Sequence, residues 1–214
     1  MKISINADFR PSKIVCVGRN YADHAAELGN AVPSEPLLFL KAPSSLIFNG
    51  DSIVIPDQSA QVEHEGELAV IISSICKDLR QSADVTPYIH GYTCLNDVTA
   101  RDLQKKDVQF ARAKSFDTFC PIGPHIETDL DVGDLNVTAT VNGEVKQSGR
   151  TSQMVFPVDE LIRYISNQMT LYPGDIIATG TPAGVSTLSP GDICTIEIEG
   201  IGILSNPVIQ RRTS

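Results

Sequence analysis

The chain has 214 residues, 42% hydrophobic and 20% charged, with 17 Lys+Arg against 26 Asp+Glu and a formal net charge of -9. That composition supports a packed core and excludes disorder and fibrous repeats, while the acidic excess repels a nucleic-acid phosphate backbone. No apolar run approaches the ~20 residues of a membrane-spanning helix, and the start at Met1 has no apolar signal region, so a soluble cytoplasmic chain is expected, with neither nucleic-acid nor membrane partner.

In chain order, residues 13–17 read as a buried strand. Asn20 is placed to cap a helix over 21–28, with Asp23 in its first turn and Gly29 as its stop. Short apolar runs at 37–40 and 53–55 predict strands. Over 62–70 a two-residue period puts Val62, His64, Leu68 and Val70 on one face and Glu63, Glu65 and Glu67 on the other. Residues 91–95 read as a strand running into a helical turn. Residues 137–141 and the segment after Asn142-Gly143 read as a hairpin, 158–169 as an amphipathic helix, and 193–198 as a strand turning at Glu199-Gly200 into Ile203 and Leu204. Many short strands and few helices predict a β-rich α+β fold, a barrel, roll or sandwich. With no Pro- or Ser-rich linker, a single domain over 13–214 is expected, preceded by a short appendage at 1–12.

The five cysteines, Cys16, Cys76, Cys94, Cys120 and Cys194, are odd in number and include no Cys-x-x-Cys pair, which predicts buried free thiols. Phosphate-binding, dinucleotide and Gly-x-Ser-x-Gly signatures are absent. His64-Glu65 is not a zinc-protease motif, because position 68 is leucine. Three glutamates on one strand face repel one another unless a cation or protons intervene, and oxygen ligands of that kind suit a hard ion, although on alternation alone a solvated acidic edge strand is the favoured explanation. Asp97 at a strand end reads either as a further oxygen ligand or as a helix N-cap, and Arg101 either as part of the same cluster or as a surface partner of Asp102. His24 and Glu27, three apart on one helix face, suit a carboxylate-oriented general base or an ordinary surface pair. His90 and His125 carry less.

Several segments in order resemble one family: Gly18-Arg19-Asn20-Tyr21-Ala22-Asp23-His24; Glu65-Gly66-Glu67-Leu68; Gly91-Tyr92-Thr93 leading into Asn96-Asp97-Val98-Thr99-Ala100-Arg101-Asp102; Ala113-Lys114-Ser115-Phe116-Asp117-Thr118-Phe119; Val141-Asn142-Gly143; and Pro173-Gly174-Asp175 followed by Thr179-Gly180-Thr181-Pro182-Ala183-Gly184-Val185. Together, over residues 13–207, they resemble the fumarylacetoacetate hydrolase family in its short acylpyruvate hydrolase and oxaloacetate decarboxylase-like branch. The resemblance implies a mixed β-sandwich roll of that family's C-terminal-domain type, making 13–214 the catalytic domain. It implies Mg²⁺ or Mn²⁺, with Ca²⁺ as a substitute, held by Glu65, Glu67 and Asp97, and makes Glu63 a neighbour. By the same likeness His24 and Glu27 ride on a lid, Lys114 sits beside the metal, Thr181 helps hold a substrate carboxylate, and Arg19, Arg101 and Gln104 surround the pocket.

The implied substrate is a small 2-oxo acid and the implied state a homodimer. Cleavage of the C3–C4 bond of a 3-acylpyruvate such as fumarylpyruvate, giving pyruvate and a carboxylic acid, is the leading expectation. Oxaloacetate decarboxylation and keto–enol tautomerisation share its enolate intermediate, and a non-catalytic, metal-stabilised interaction module is the alternative of another class. The chain departs from the family pattern at Phe110, where tryptophan is frequent, at Ala42 between Lys41 and Pro43, and at Ser186, where glycine is common. These departures bear on substrate preference rather than on the metal ligands.

Overall fold

A computed structural model describes residues 1–211. The larger of two main sheets has eight strands. From edge to edge they run Lys2–Ser4, Cys120–Glu127, Ile89–Asn96, Gly66–Ile72, Ile176–Ala178, Ile14–Gly18 and Leu37–Lys41, with Leu46–Phe48 also paired to Cys120–Glu127. The second sheet runs Glu144–Arg150, Asn136–Val141, Ile193–Ile198, Gly202–Gln210 and Ile53–Ile55. A short ribbon pairs Val62–Glu63 with Thr99–Ala100. Pairing is mostly antiparallel, with parallel contacts between Ile176–Ala178 and Ile14–Gly18, between Gly202–Gln210 and Ile53–Ile55, and between Cys120–Glu127 and Leu46–Phe48. This is the expected mixed, β-rich α+β architecture. The segment ahead of residue 12 supplies an edge strand of the larger sheet through Lys2–Ser4.

The larger sheet is covered on both faces, so its central strand Gly66–Ile72 is buried throughout. Leu68, Val70 and Val15 face the main core with Ala139, Ile196 and Leu204 of the second sheet and Leu161 and Ile165 of the helix Val158–Gln168. Ala69, Ile71, Ile14 and Ile176 form a second cluster on the other side, closed by Phe9, Phe39 and Phe48. At one close approach of the two sheets, a Cβ on Gly66 would lie 3.0 Å from Ile196 and 3.4 Å from Ala139. All five cysteines are buried and free. Among the described residues no helix is long and apolar enough to cross a membrane.

Two local expectations are corrected. The alternation over 62–70 is not one strand: Val62–Glu63 pairs with Thr99–Ala100, the chain breaks at His64 and Glu65, and pairing resumes at Gly66 against Asn96. His64 therefore leaves the apolar face and binds Gln147 and Ser186. Asn20 does not cap the helix Ala22–Glu27, whose N-cap is Tyr21 without a side-chain bond. The buried Asn20 amide instead donates to the Phe156 and Thr179 carbonyls and accepts from the Phe156 amide. Three buried backbone groups outweigh one helix end.

Candidate active site

Strand pairing assembles the acidic cluster. Gly66 stands opposite Asn96, so Glu65 and Asp97 emerge at the same end of two adjacent strands. There the Asp97 amide donates to the Glu65 carbonyl at 2.9 Å, and the Glu65 amide donates to Asn96 Oδ1 at 3.0 Å. One carboxylate oxygen from each of Glu65, Glu67 and Asp97 lies within 4.8 Å of the other two, and all three side chains are buried. The helix that follows begins at Arg101 with Ala100 as its N-cap, which excludes the capping role for Asp97.

Buried cations meet these acids unequally. Lys41 Nζ and Lys114 Nζ each donate to Asp97 at 2.6 Å, and Lys114 also donates to Glu65 at 2.8 Å. Arg101 donates to Glu63 at 2.7 Å through Nε, to Glu65 through Nη2 and to Gln104 through Nη1. Arg101 is buried rather than a surface partner of Asp102, which instead accepts from Ser59 and Ala60. Burial would raise the Glu65 carboxyl, but the Lys114 and Arg101 charges reverse this and hold it well below the usual carboxylate range.

Glu67 differs. It accepts the Gly180 amide at 2.8 Å and belongs to no ion pair among the described residues. Burial, reinforced by Asp97 and Glu65, pushes its carboxyl well above the usual range. Among the described residues, the cluster of four carboxylates, Glu63, Glu65, Glu67 and Asp97, thus has three ion-pairing cations, Lys41, Lys114 and Arg101. A buried carboxylate left short of positive charge, beside two others, is a donor set that a hard divalent ion completes. The residues present fit such an ion.

His24 is buried on the short helix, its Nδ1 3.2 Å from Glu27 Oε2, and the Glu27 oxygens accept the Gly184 amide at 3.1 and 3.2 Å. Gly184 has φ +104, and a Cβ there would lie 2.0 Å from the Lys146 carbonyl oxygen. Gly184→Ala is therefore expected to cost about 1–3 kcal/mol in backbone strain alone. It should also untie Glu27, and urea unfolding together with turnover checks both effects.

His24, the three acids, Lys114, Thr181, Arg19, Arg101 and Gln104 line one cavity of about 250 Å³, whereas Glu27 stands behind His24. Leu37, Phe39 and Phe110 form its apolar wall, with Phe110 edge-on to Phe39 and Lys114 Nζ 5.0 Å from the Phe39 ring. In the sequence Lys41 figures only as the neighbour of Ala42, with no place in the site. The available cue was an ionisable residue ending the apolar run 37–40.

A buried acid trio, two of whose members share Lys114, with a histidine–carboxylate pair over the same cavity, defines an enzyme site able to take a divalent metal. The fumarylacetoacetate (FAA) hydrolase C-terminal model matches residues 13–209, and the chain belongs to the fumarylacetoacetate hydrolase family. Uncharacterized protein MJ1656 of Methanocaldococcus jannaschii is 54% identical over 201 residues, covering 94% of this chain and 84% of that protein. Oxaloacetate tautomerase Fahd2a, mitochondrial, of Rattus norvegicus is 43% identical over 211 residues, or 94% of this chain and 67% of its own length. The solved structure of 5-carboxymethyl-2-hydroxymuconate delta-isomerase from Mycobacterium smegmatis matches with a TM-score of 0.89 and 46% identity, covering 96% of this chain and 81% of that one.

Proposed function

We propose that this chain is a proton-transfer enzyme that interconverts the keto and enol forms of small dicarboxylic 2-oxo acids resembling oxaloacetate. The observation that carries this reading is the shared cavity of His24, Lys114 and the acid trio. The names of the rat tautomerase and the mycobacterial isomerase support it.

Glu65, Glu67 and Asp97 would hold the ion, with Mg²⁺ or Mn²⁺ as the hard cations of choice. Such an ion, when bound, supplies Lewis-acid charge that favours the enolate form of a 2-oxo acid. Glu27 engages Nδ1 of His24, which leaves Nε2 to remove a proton from substrate C3 and return it. The Lys114 ammonium is kept charged against the effect of burial by Asp97 and Glu65, and meets negative charge as it develops.

At the more exposed end of the cavity, Arg19 and Lys105 form no ion pair among the described residues and complement a second carboxylate. Arg19→Met is expected to raise KM for oxaloacetate by roughly 10-fold, and to change KM for a monocarboxylic 2-oxo acid much less. Steady-state kinetics on the two substrates checks this.

Hydrolysis of 3-acylpyruvates is the second reading, because a Glu27-oriented His24 can equally activate water. Enol absorbance and pyruvate release, followed together, separate the reactions. Loss of the oxaloacetate enol band without pyruvate supports tautomerisation. Matching pyruvate release indicates decarboxylation from oxaloacetate and hydrolysis from an acylpyruvate. A silent panel, with Mn²⁺ uptake verified, overturns the enzymatic reading in favour of an interaction module.

A further inference from the structure

His64 and Thr181 are the two ends of one buried hydrogen-bond chain that passes through Gln147. Gln147 comes from the second-sheet strand Glu144–Arg150 and is fully buried. Its Oε1 accepts the Gly66 amide at 2.9 Å and lies 3.1 Å from His64 Nδ1. Its Nε2 donates to Thr181 Oγ1 and to the Pro182 carbonyl, each at 2.7 Å.

Every bond the amide can make is made, which fixes the protons along the chain. Because Oε1 accepts, His64 carries its proton on Nδ1, and its Nε2 accepts the Ser186 hydroxyl at 2.8 Å. Thr181 Oγ1 receives an N–H from Gln147, and its own hydrogen goes to the Gly66 carbonyl at 2.8 Å. Gly66 joins Glu65 to Glu67, so a single side chain aligns both the peptide between two acids of the trio and the hydroxyl facing the cavity.

We propose that Gln147, itself oriented by His64, is a positioning residue that keeps Thr181 as a hydrogen-bond donor to the carboxylate of the bound 2-oxo acid. Gln147 does not line the cavity and acts only through Thr181. On ligand entry the Thr181 hydrogen turns from the Gly66 carbonyl to the ligand oxygen, while Gln147 continues to donate into Oγ1. A hydroxyl that accepts one bond is the stronger donor in the next. Without Gln147, Oγ1 loses both its fixed direction and that reinforcement. The inference rests on the proposed reading of the cavity as a 2-oxo acid site.

The test is calorimetric binding of Mn²⁺, and then of oxalate to the Mn²⁺-loaded protein. It compares the parent, Gln147→Met, Thr181→Val and the double variant. Each single substitution should weaken oxalate by roughly 10-fold, the equivalent of one hydrogen bond. Mn²⁺ affinity should fall less than oxalate affinity, because Glu65 and Glu67 keep their bonds to Lys114, Arg101 and Gly180 when the Gly66 amide loses its acceptor, and the double variant should bind oxalate no more weakly than Thr181→Val. A parent that takes up Mn²⁺ but no oxalate overturns the cavity reading and the inference with it. Parent-like oxalate binding in Gln147→Met overturns the inference alone. So does a loss of about 100-fold in the double variant, which would mark independent actions. An equal loss of Mn²⁺ and oxalate affinity assigns Gln147 a merely structural part and overturns the inference too. Should Gln147→Met not fold, Gln147→Asn, which keeps a neutral amide one methylene too short to serve both the Gly66 amide and Thr181, carries the same comparison.

Discussion

Glu67→Gln is expected to abolish divalent-ion uptake and lower turnover by at least about 10³-fold, the equivalent of several kcal/mol of lost charge stabilisation. The metal-free variant should nevertheless be as stable as the parent or more so. The amide oxygen can still accept the Gly180 N–H, and the substitution removes a carboxyl that burial, Asp97 and Glu65 all disfavour as an anion. Asp97→Asn should lose uptake as well, but with a fall in stability of about 3–5 kcal/mol, because Lys41 and Lys114 are buried against that carboxylate. Thermal and urea unfolding of the metal-free variants, beside Mn²⁺ titration, distinguish the two acids.

The same acid gives a pH dependence. The folded Glu67 carboxyl is raised above its unfolded value of about 4.3, so above that pH the native state holds a proton that the unfolded state has released. The slope of stability against pH is then negative, and metal-free stability contributed by Glu67 is lost as pH rises through the folded value. The ion competes with that proton, so Mn²⁺ affinity should rise with pH over the same window.

His24→Ala is expected to lower turnover by about 10²–10⁴-fold with Mn²⁺ uptake intact, since its ring touches no member of the acid trio through a hydrogen bond. Glu27→Gln should cost less, because it weakens the orientation of His24 and the tie to Gly184 without removing the base. Lys114→Met should also reduce turnover, but unlike His24→Ala it should shift the unfolding midpoint, as it leaves Glu65 and Asp97 short of a buried cation. Single-turnover kinetics on metal-loaded protein, paired with melting curves, reads both halves of the contrast.

The strand runs were legible because β-branched and aliphatic clusters between turn residues need no long-range information. The reading at 53–55 coincides with Ile53–Ile55, and that at 193–198 with Ile193–Ile198. Period alone failed over 62–70. Ile196 and Ala139 press on Gly66 from the second sheet, and Arg101, 38 residues further along the chain, draws Glu63 away; neither contact is local in sequence. Asn20 and Asp97 both look like caps because short polar side chains suit helix ends, yet each finds buried partners far along the chain.

The acid trio joins residues some thirty positions apart, and only the ordered segments of the family resemblance linked them before the Gly66–Asn96 pairing explained why. Gln147 had no cue, lying between Lys146 and Ser148 on a strand with polar neighbours. Ser186, a departure from the family pattern, has a local reason in this chain, since its hydroxyl bonds the buried His64.

The most direct measurement is the uptake of Mn²⁺ by the metal-stripped protein, followed by disappearance of the free-ion electron paramagnetic resonance signal. One saturable site per chain, retained in His24→Ala and lost in Glu67→Gln, is the expected result. Undiminished free-ion signal with the parent protein, or identical uptake by parent and Glu67→Gln, would contradict an ion seated on Glu65, Glu67 and Asp97.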